Sequence, residues 1–269
     1  MAIAQHLSSK ALSPTGSKRE ERLAFIIDSV NRGRFISLRD ITERFNVNIQ
    51  TARRDIAILD EQNLVTRVHG GAVPREDSAL LNIEERFGIQ DMEKRCIAAT
   101  AASFIHDGDV VFIDGGSTPA YLAPYLLDKH IHVVTNSISL LGELKKGWPN
   151  VEVITTGGYF YPKSNVLLGS PAIEAINRMQ VDKAFVSAAG VTADGMYNSN
   201  VLVVEFERAV ISRATETFLL ADSSKLGHAS LMRVCGLEDI DTLVTVGPVP
   251  DFIIEAARTF DCRIEQCQS

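Results

Sequence analysis

The sequence predicts a mixed α/β chain in two parts, a small helical N-terminal unit and a larger C-terminal α/β domain. Three observations predict it. Apolar positions recur at helical spacing between residues 17 and 61, whereas from residue 110 onward short apolar runs alternate with helical patterns. Charge divides between the same two parts. Residues 1–74 carry 11 Lys and Arg against 8 Asp and Glu, a net +3, and the remainder carries 16 against 26, a net −10. A chain of 269 residues with 45% hydrophobic content is long enough to bury a core in each part.

Residues 1–16 mix Ala, Ser, Gln and one Pro without a period, and a disordered tail is expected there. The unit proper is expected over residues 17–74. Ser17-Lys18-Arg19-Glu20 supplies a capping box ahead of Leu23, Ile26, Ile27 and Val30, so a first helix starts here, and Gly33 ends it. Arg34-Phe35-Ile36 reads as a short strand. Ser37 then caps a second helix (SLRDITERF), with Asp40 in the capping-box position. Only Asn46 and Val47 separate it from a third, NIQTARRDIAILD at residues 48–60. Ala52, Ile56 and Leu59 form the buried side of that helix, Asn48 is its cap, and Gln50, Thr51, Arg53 and Arg54 gather at its front end.

Two short helices across so tight a turn make a helix-turn-helix, whose second helix enters the DNA major groove by its N-terminus. Arg can bond a guanine bidentately, Gln an adenine, and Thr can reach a phosphate or a thymine methyl. In the bland alternative the arginines form a solvated face paired with Asp55 and Asp60. Residues 64–72 continue as two short β-like pieces around Arg67, His69 and the turn glycines Gly70 and Gly71, the pattern of a wing, where Arg67 and His69 suit phosphate contact better than base reading. RRDI followed by RVHGGAV resembles the N-terminal winged helix-turn-helix module of the DeoR family of bacterial sugar-catabolism repressors. That resemblance implies operator contacts by Ser37, Asn48, Gln50, Thr51, Arg53, Arg54, Arg67, His69 and Gly70.

Periodicity lapses over residues 75–86, which read as a linker. Residues 87–269 then carry buried-strand patterns at 110–113, 131–135, 151–155, 183–187, 217–220 and 242–246, with helices between most of them, so a mainly parallel sheet is expected. Ligands bind such sheets at the carboxyl ends of the strands. Asp114-Gly115-Gly116-Ser117-Thr118 follows the first strand and opens a helix at Pro119. Its glycines, hydroxyls and helix N-terminus suit a phosphate. Thr135-Asn136-Ser137, Thr156-Gly157-Gly158-Tyr159 and Ala221-Asp222-Ser223-Ser224-Lys225 end later strands. Singly each reads as an ordinary turn, but their recurrence points to a site.

DGGST, TNS, TGG, DKAFVSAAGV and ADSSKLG together resemble the effector domain of the same family, similar in fold to ribose-5-phosphate isomerase. By that resemblance Ser117 and Thr118 with the amides of Gly115 and Gly116 would hold the phosphate of a sugar, Asn136, Gly157, Gly158, Glu205 and Lys225 would face the sugar itself, and Asp114 would belong to the same effector site. A transcriptional regulator follows, a repressor of sugar catabolism relieved by a phosphorylated sugar, with double-stranded operator DNA as partner. The larger domain would supply the contacts of a homodimer or homotetramer. An activator or dual regulator of the same architecture is the alternative. An isomerase fits less well, because the acidic loop of those enzymes is replaced here by Ser187-Ala188-Ala189-Gly190, and Asp194 lies too far along.

Cys96, Cys235, Cys262 and Cys267 show neither CxxC nor zinc spacing, and no metal or cofactor is expected. The sequence has no apolar run of about 20 residues and no secretory leader pattern, so a cytoplasmic protein without a membrane partner is expected.

Overall fold

The computed structural model describes residues 18–31, 36–61, 64–68, 70–74 and 82–267. The chain divides into two compact units, Met1–Asp77 and Ser78–Ser269. The expected tail at 1–16, the stop at Gly33, the first two residues of the Arg34-Phe35-Ile36 strand, His69 and residues 75–81 of the linker lie outside the described residues.

The first unit runs α1 (Lys18–Asn31), β1 (Ile36–Ser37), α2 (Leu38–Phe45), α3 (Ile49–Glu61), β2 (Val65–Val68) and β3 (Gly71–Pro74). Its helix ends follow the capping chemistry of the sequence. The Ser37 hydroxyl accepts from the Asp40 amide at 3.0 Å while the Asp40 carboxylate accepts from the Ser37 amide at 2.9 Å. Asn46 stops α2 in a left-handed conformation, φ 50°, and lets the chain turn at once into α3. The three strands form an antiparallel sheet in the order β1-β3-β2. Ile26, Val30, Ile41, Ala52, Ile56, Leu59 and Val65 make one core beneath it.

Behind α3 a buried ion pair fixes the helix to α1: Arg22 Nε donates to Asp55 Oδ2 at 2.5 Å, and Arg19 approaches the same carboxylate at 3.8 Å. Asp55 is thus the partner of α1 and not of the arginines at the front of its own helix. Asp60 accepts from the backbone N–H of Arg67, at the start of the wing.

The second unit opens with α4 (Ile83–Phe87), inside the stretch read as linker, and continues through α5 (Asp91–Ala102), β4 (Val110–Ile113), α6 (Ser117–Ala120), β5 (Ile131–Thr135), α7 (Ile138–Leu144), β6 (Val151–Thr155), β7 (Tyr159–Tyr161), β8 (Val166–Leu168), α8 (Ser170–Ile176) and β9 (Val181–Ser187). It then runs through β10 (Gly190–Thr192), β11 (Gly195–Asn198), α9 (Val201–Ile211), β12 (Ala214–Leu220), β13 (Met232–Cys235), β14 (Thr242–Val246), α10 (Asp251–Thr259) and β15 (Arg263–Cys267). All six expected strands are present, and β15 joins them in a seven-stranded sheet, order β15-β14-β12-β9-β4-β5-β6, parallel throughout.

Side chains alternate between its two faces, as a doubly covered sheet requires. Phe112 points into a core with Phe206, Val210 and Ile253, while Val111 and Ile113 point into another with Ile97, Ala101 and Leu140. Small antiparallel pieces, β7-β8 and β10-β11-β13, lie outside this sheet. No helix among the described residues is long and apolar enough to cross a membrane.

Removing one partner of a buried ion pair strands the other charge, at a cost of about 3–5 kcal/mol. Asp55→Ala is therefore expected to destabilise the N-terminal unit by about that amount and Ser37→Ala by about 1 kcal/mol. Urea denaturation followed by circular dichroism measures both, and an Asp55→Ala variant as stable as the parent would refute the role of the pair.

Candidate nucleic-acid interface and ligand cleft

The Asn48 side chain accepts from both the Thr51 amide (2.8 Å) and the Thr51 hydroxyl (3.0 Å), which fixes the first turn of α3. The Thr51 hydroxyl proton is thereby used at home, leaving its oxygen to accept. Gln50, Arg53 and Arg54 are exposed on the helix front, and so is Ile49, a large apolar side chain at 47% exposure beside them. Ile49 is not among the residues singled out from the sequence. Its place at the first helical position suits contact with a thymine methyl. Arg67 is exposed on β2. Gly70 turns the wing with φ +84°, a conformation that favours glycine, and its carbonyl accepts from the Leu38 amide at the start of α2. Ser37 serves as the helix cap described above.

In the second unit a cleft opens at the carboxyl ends of the central strands β4 and β9. Of the residues expected there, Asp114, Gly115, Gly116 and Asn136 line it. The two glycines permit close packing: a Cβ on Gly115 would fall 2.1 Å from a Val166 methyl carbon, and one on Gly116 1.9 Å from the Ser187 hydroxyl. Their amides are already engaged, Gly115 N–H donating to Asn136 Oδ1 at 3.1 Å and Gly116 N–H to Asp114 Oδ2 at 3.1 Å. Ser187 Oγ also donates to Asp114 Oδ2, at 2.8 Å.

The loop after β4 is thus held by an internal carboxylate where an external phosphate was expected. Ser117 and Thr118 are buried in the four-residue α6 and are not in the cleft wall. Gly157 and Gly158 turn the chain from β6 to β7, also off the cleft. Glu205 is exposed on α9. Lys225 is half-buried in a turn whose Ser223 is bonded to Glu93 of α5, and it does not line the cleft either.

Other side chains complete the wall. Glu207, two residues beyond Glu205, is buried, and both its carboxyl oxygens accept from Asn198 Nδ2, at 3.1 and 3.3 Å. Burial lifts its pKa well above the usual carboxylate range, and the charge of Asp114 adds to this. Asp114 is likewise raised by burial, against which its bonds from Ser187 and the glycine amides work.

Arg86 of α4 also lines the cleft and donates to Ser164 Oγ at 3.3 Å, while its buried Nε has no hydrogen-bond partner. Burial lowers its pKa and the nearby Asp114 opposes that. Lys163, Tyr161 and Asn200 fill the remaining wall. Beneath Arg86, the buried Lys94 Nζ donates to the Arg86 carbonyl at 2.5 Å. Its pKa falls to about 8, chiefly by burial, with Asp222 opposing. Lys94 positions the turn that carries Arg86.

An exposed basic tip on a helix-turn-helix, joined to a unit with a polar ligand cleft, defines a ligand-responsive DNA-binding regulator. The comparisons with known proteins agree. Residues 22–77 match the DeoR-like helix-turn-helix domain and residues 89–246 the DeoR C-terminal sensor domain, so the chain belongs to the DeoR family of transcriptional regulators.

The HTH-type transcriptional repressor GlcR of Bacillus subtilis (strain 168) is 34% identical over 230 residues, covering 84% of this chain and 88% of its own. The glycerol-3-phosphate regulon repressor of Escherichia coli (strain K12) is 28% identical over 252 residues, covering 93% of this chain and 100% of its own. Among solved structures, ribose 5-phosphate isomerase A of Methanocaldococcus jannaschii aligns with 49% of this chain and 53% of its own at a TM-score of 0.36 and 20% identity. GlcR and the glycerol-3-phosphate regulon repressor are named as repressors, and the family assignment makes this chain a transcriptional regulator like them.

The raised pKa of Glu207 makes stability depend on pH. The unfolded chain loses this proton near 4.5 and the folded chain only at higher pH, so between the two values the folded state binds more protons and stability falls as pH rises, by up to about 1.4 kcal/mol per unit. Glu207→Gln has no such proton to lose. Its stability relative to the parent should therefore increase from pH 4 to pH 7.5 in urea denaturation read by the single tryptophan, Trp148. Parallel pH profiles for the two proteins would contradict this.

Proposed function

We propose that this regulator represses a sugar-related operon in the cytoplasm and releases it when a phosphorylated sugar enters the cleft of the second unit. The observation that carries the reading is the pairing, in one chain, of an exposed Gln50/Arg53/Arg54 helix front with a cleft whose unpartnered Arg86 Nε awaits an anion. The names of the relatives, a glycerol-3-phosphate regulon repressor and a lactose phosphotransferase system repressor among them, support the phosphorylated effector and the sense of control.

Gln50, Arg53 and Arg54 read bases, with Thr51 and Asn48 holding them in register, while Arg67, His69 and Gly70 of the wing meet the phosphate backbone. In the cleft, Arg86 and Lys163 take the phosphate, and Asn136, Asn198, Asn200 and the two carboxyls take the sugar. One such module buries too little surface for a specific operator complex, so the regulator acts as a homodimer or homotetramer through its larger domain.

Coupling has a short route. Arg86 lies on α4, among the described residues the first helix after the wing, with eight residues between Pro74 and Ile83. A ligand that moves Arg86 acts on the segment that leads to the DNA-binding unit. Such a ligand shifts DNA affinity only by its preference for one conformation over the other.

Fluorescence anisotropy on a fragment of the regulated promoter tests the reading. Arg53→Ala should weaken binding about tenfold at fixed salt and flatten the salt dependence. A sugar phosphate should weaken operator binding by the parent, and Arg86→Ala should need at least tenfold more of it for the same effect. Operator affinity indifferent to every sugar phosphate tried would refute the effector assignment and leave the DNA-binding one intact.

A further inference from the structure

The cleft sorts its charges by depth. Arg86 and Lys163 are half-buried, whereas Asp114 and Glu207 are the deep groups, at 6% and 1% exposure. Among the described residues no ion pair within 4 Å neutralises either acid. Asp114 spends one oxygen on Ser187 and Gly116, and Glu207 shares a single amide group of Asn198 between its two oxygens. Of the neighbouring amide side chains, Asn136 accepts from Gly115 through Oδ1 and Asn198 donates to Glu207 through Nδ2.

Two carboxyls with spare acceptor capacity and, among the described residues, no ion-pair partner within 4 Å face one cavity, whose mouth already holds two cations. An anion belongs at that mouth and is repelled from the floor. A hydroxyl at the floor would supply one donor and no charge. An ammonium supplies three donors and the charge that lets buried carboxylates ionise together.

We propose that the effector is a phosphorylated amino sugar, its phosphate held by Arg86 and Lys163 and its protonated amine received between Asp114 and Glu207. This rests on the sugar-phosphate reading above and narrows it. The amine separates this ligand from phosphorylated sugars that carry hydroxyls alone, and Glu207 is the residue that makes the distinction. Burial holds the Glu207 carboxyl above the usual carboxylate range and an ammonium beside it works the other way, so arrival of the amine favours ionisation and proton release to solvent accompanies the complex.

Isothermal titration calorimetry on the full-length protein at pH 7.5 tests this with matched pairs: glucosamine 6-phosphate against glucose 6-phosphate, galactosamine 6-phosphate against galactose 6-phosphate, and mannosamine 6-phosphate against mannose 6-phosphate, with inorganic phosphate alongside. At least one amine member is expected to bind tenfold or more tightly than its hydroxyl partner. Titration in buffers of different ionisation enthalpy should show proton release for that amine member and none for its partner. Glu207→Gln should erase both the preference and the proton release, while Glu205→Gln, altering an exposed residue of the same helix, should keep both.

Hydroxyl members binding as well as their amine partners would overturn the proposal and leave the sugar-phosphate reading standing. An amine preference that survives in Glu207→Gln would overturn the role of that residue. If no sugar phosphate binds at all, the broader reading falls together with this one. The proton count is taken on the parent protein, so it decides the matter even if Glu207→Gln fails to fold.

Discussion

The carboxylate of Asp114 is the constraint on which the sensor unit depends. It stands at the end of β4, accepts from Ser187 at the end of β9 and from the amide of Gly116, and so joins the two central strands at the edge where the cleft opens. Gly116 must lack a Cβ for this contact to close, and Gly115 must lack one for Val166 to pack against the loop. The cost of burying the charge is met by these donors in part only, which leaves the group and its neighbour Glu207 responsive to what enters the cavity. A site that is incompletely satisfied when empty has free energy to gain on binding, and that gain is what a sensor converts into a change of conformation.

The DNA-binding unit is organised on the opposite plan. Its polar groups are satisfied internally: Ser37 with Asp40, Asn48 with Thr51, Asp55 with Arg22. What remains exposed on α3 is the set that can reach a base edge. A rigid reader and an unsatisfied receiver are the two properties that a ligand-controlled switch on DNA needs.

Much of this was legible in the sequence where local chemistry dictates local structure. The caps at Ser37 and Asn48, the apolar stripe of α3 and six of the seven sheet strands lie in residue types at fixed spacing. The seventh strand, Arg263–Cys267, was hidden because RIEQC is an edge sequence with little apolar alternation.

The cleft was less legible. Asp114, Gly115, Gly116 and Asn136 lie in strand-end loops and could be found by the general rule for such sheets, whereas Ser117 and Thr118 share the motif but are turned inward by α6. Glu205 and Glu207 differ by two positions on a helix, which places them on different faces. The clue was available: Glu207 falls three residues after Val204 and three before Val210, on the apolar stripe, and Glu205 does not. Arg86 could not be found this way, since α4 is five residues long and its place over the cleft is set by Lys94 and Ser164, distant in the chain.

The sheet order has a consequence for how the protein is made. The bond between Asp114 and Ser187 spans 73 residues, and β4 cannot sit beside β9 until the chain between them has been synthesised. Among the described residues, the core and sheet of the helix-turn-helix and its wing are built from residues within the first 74. Contacts close in sequence form early and cheaply, and those across long loops form late. On the ribosome, therefore, the reader of DNA takes shape while the receiver of the signal is still unbuilt.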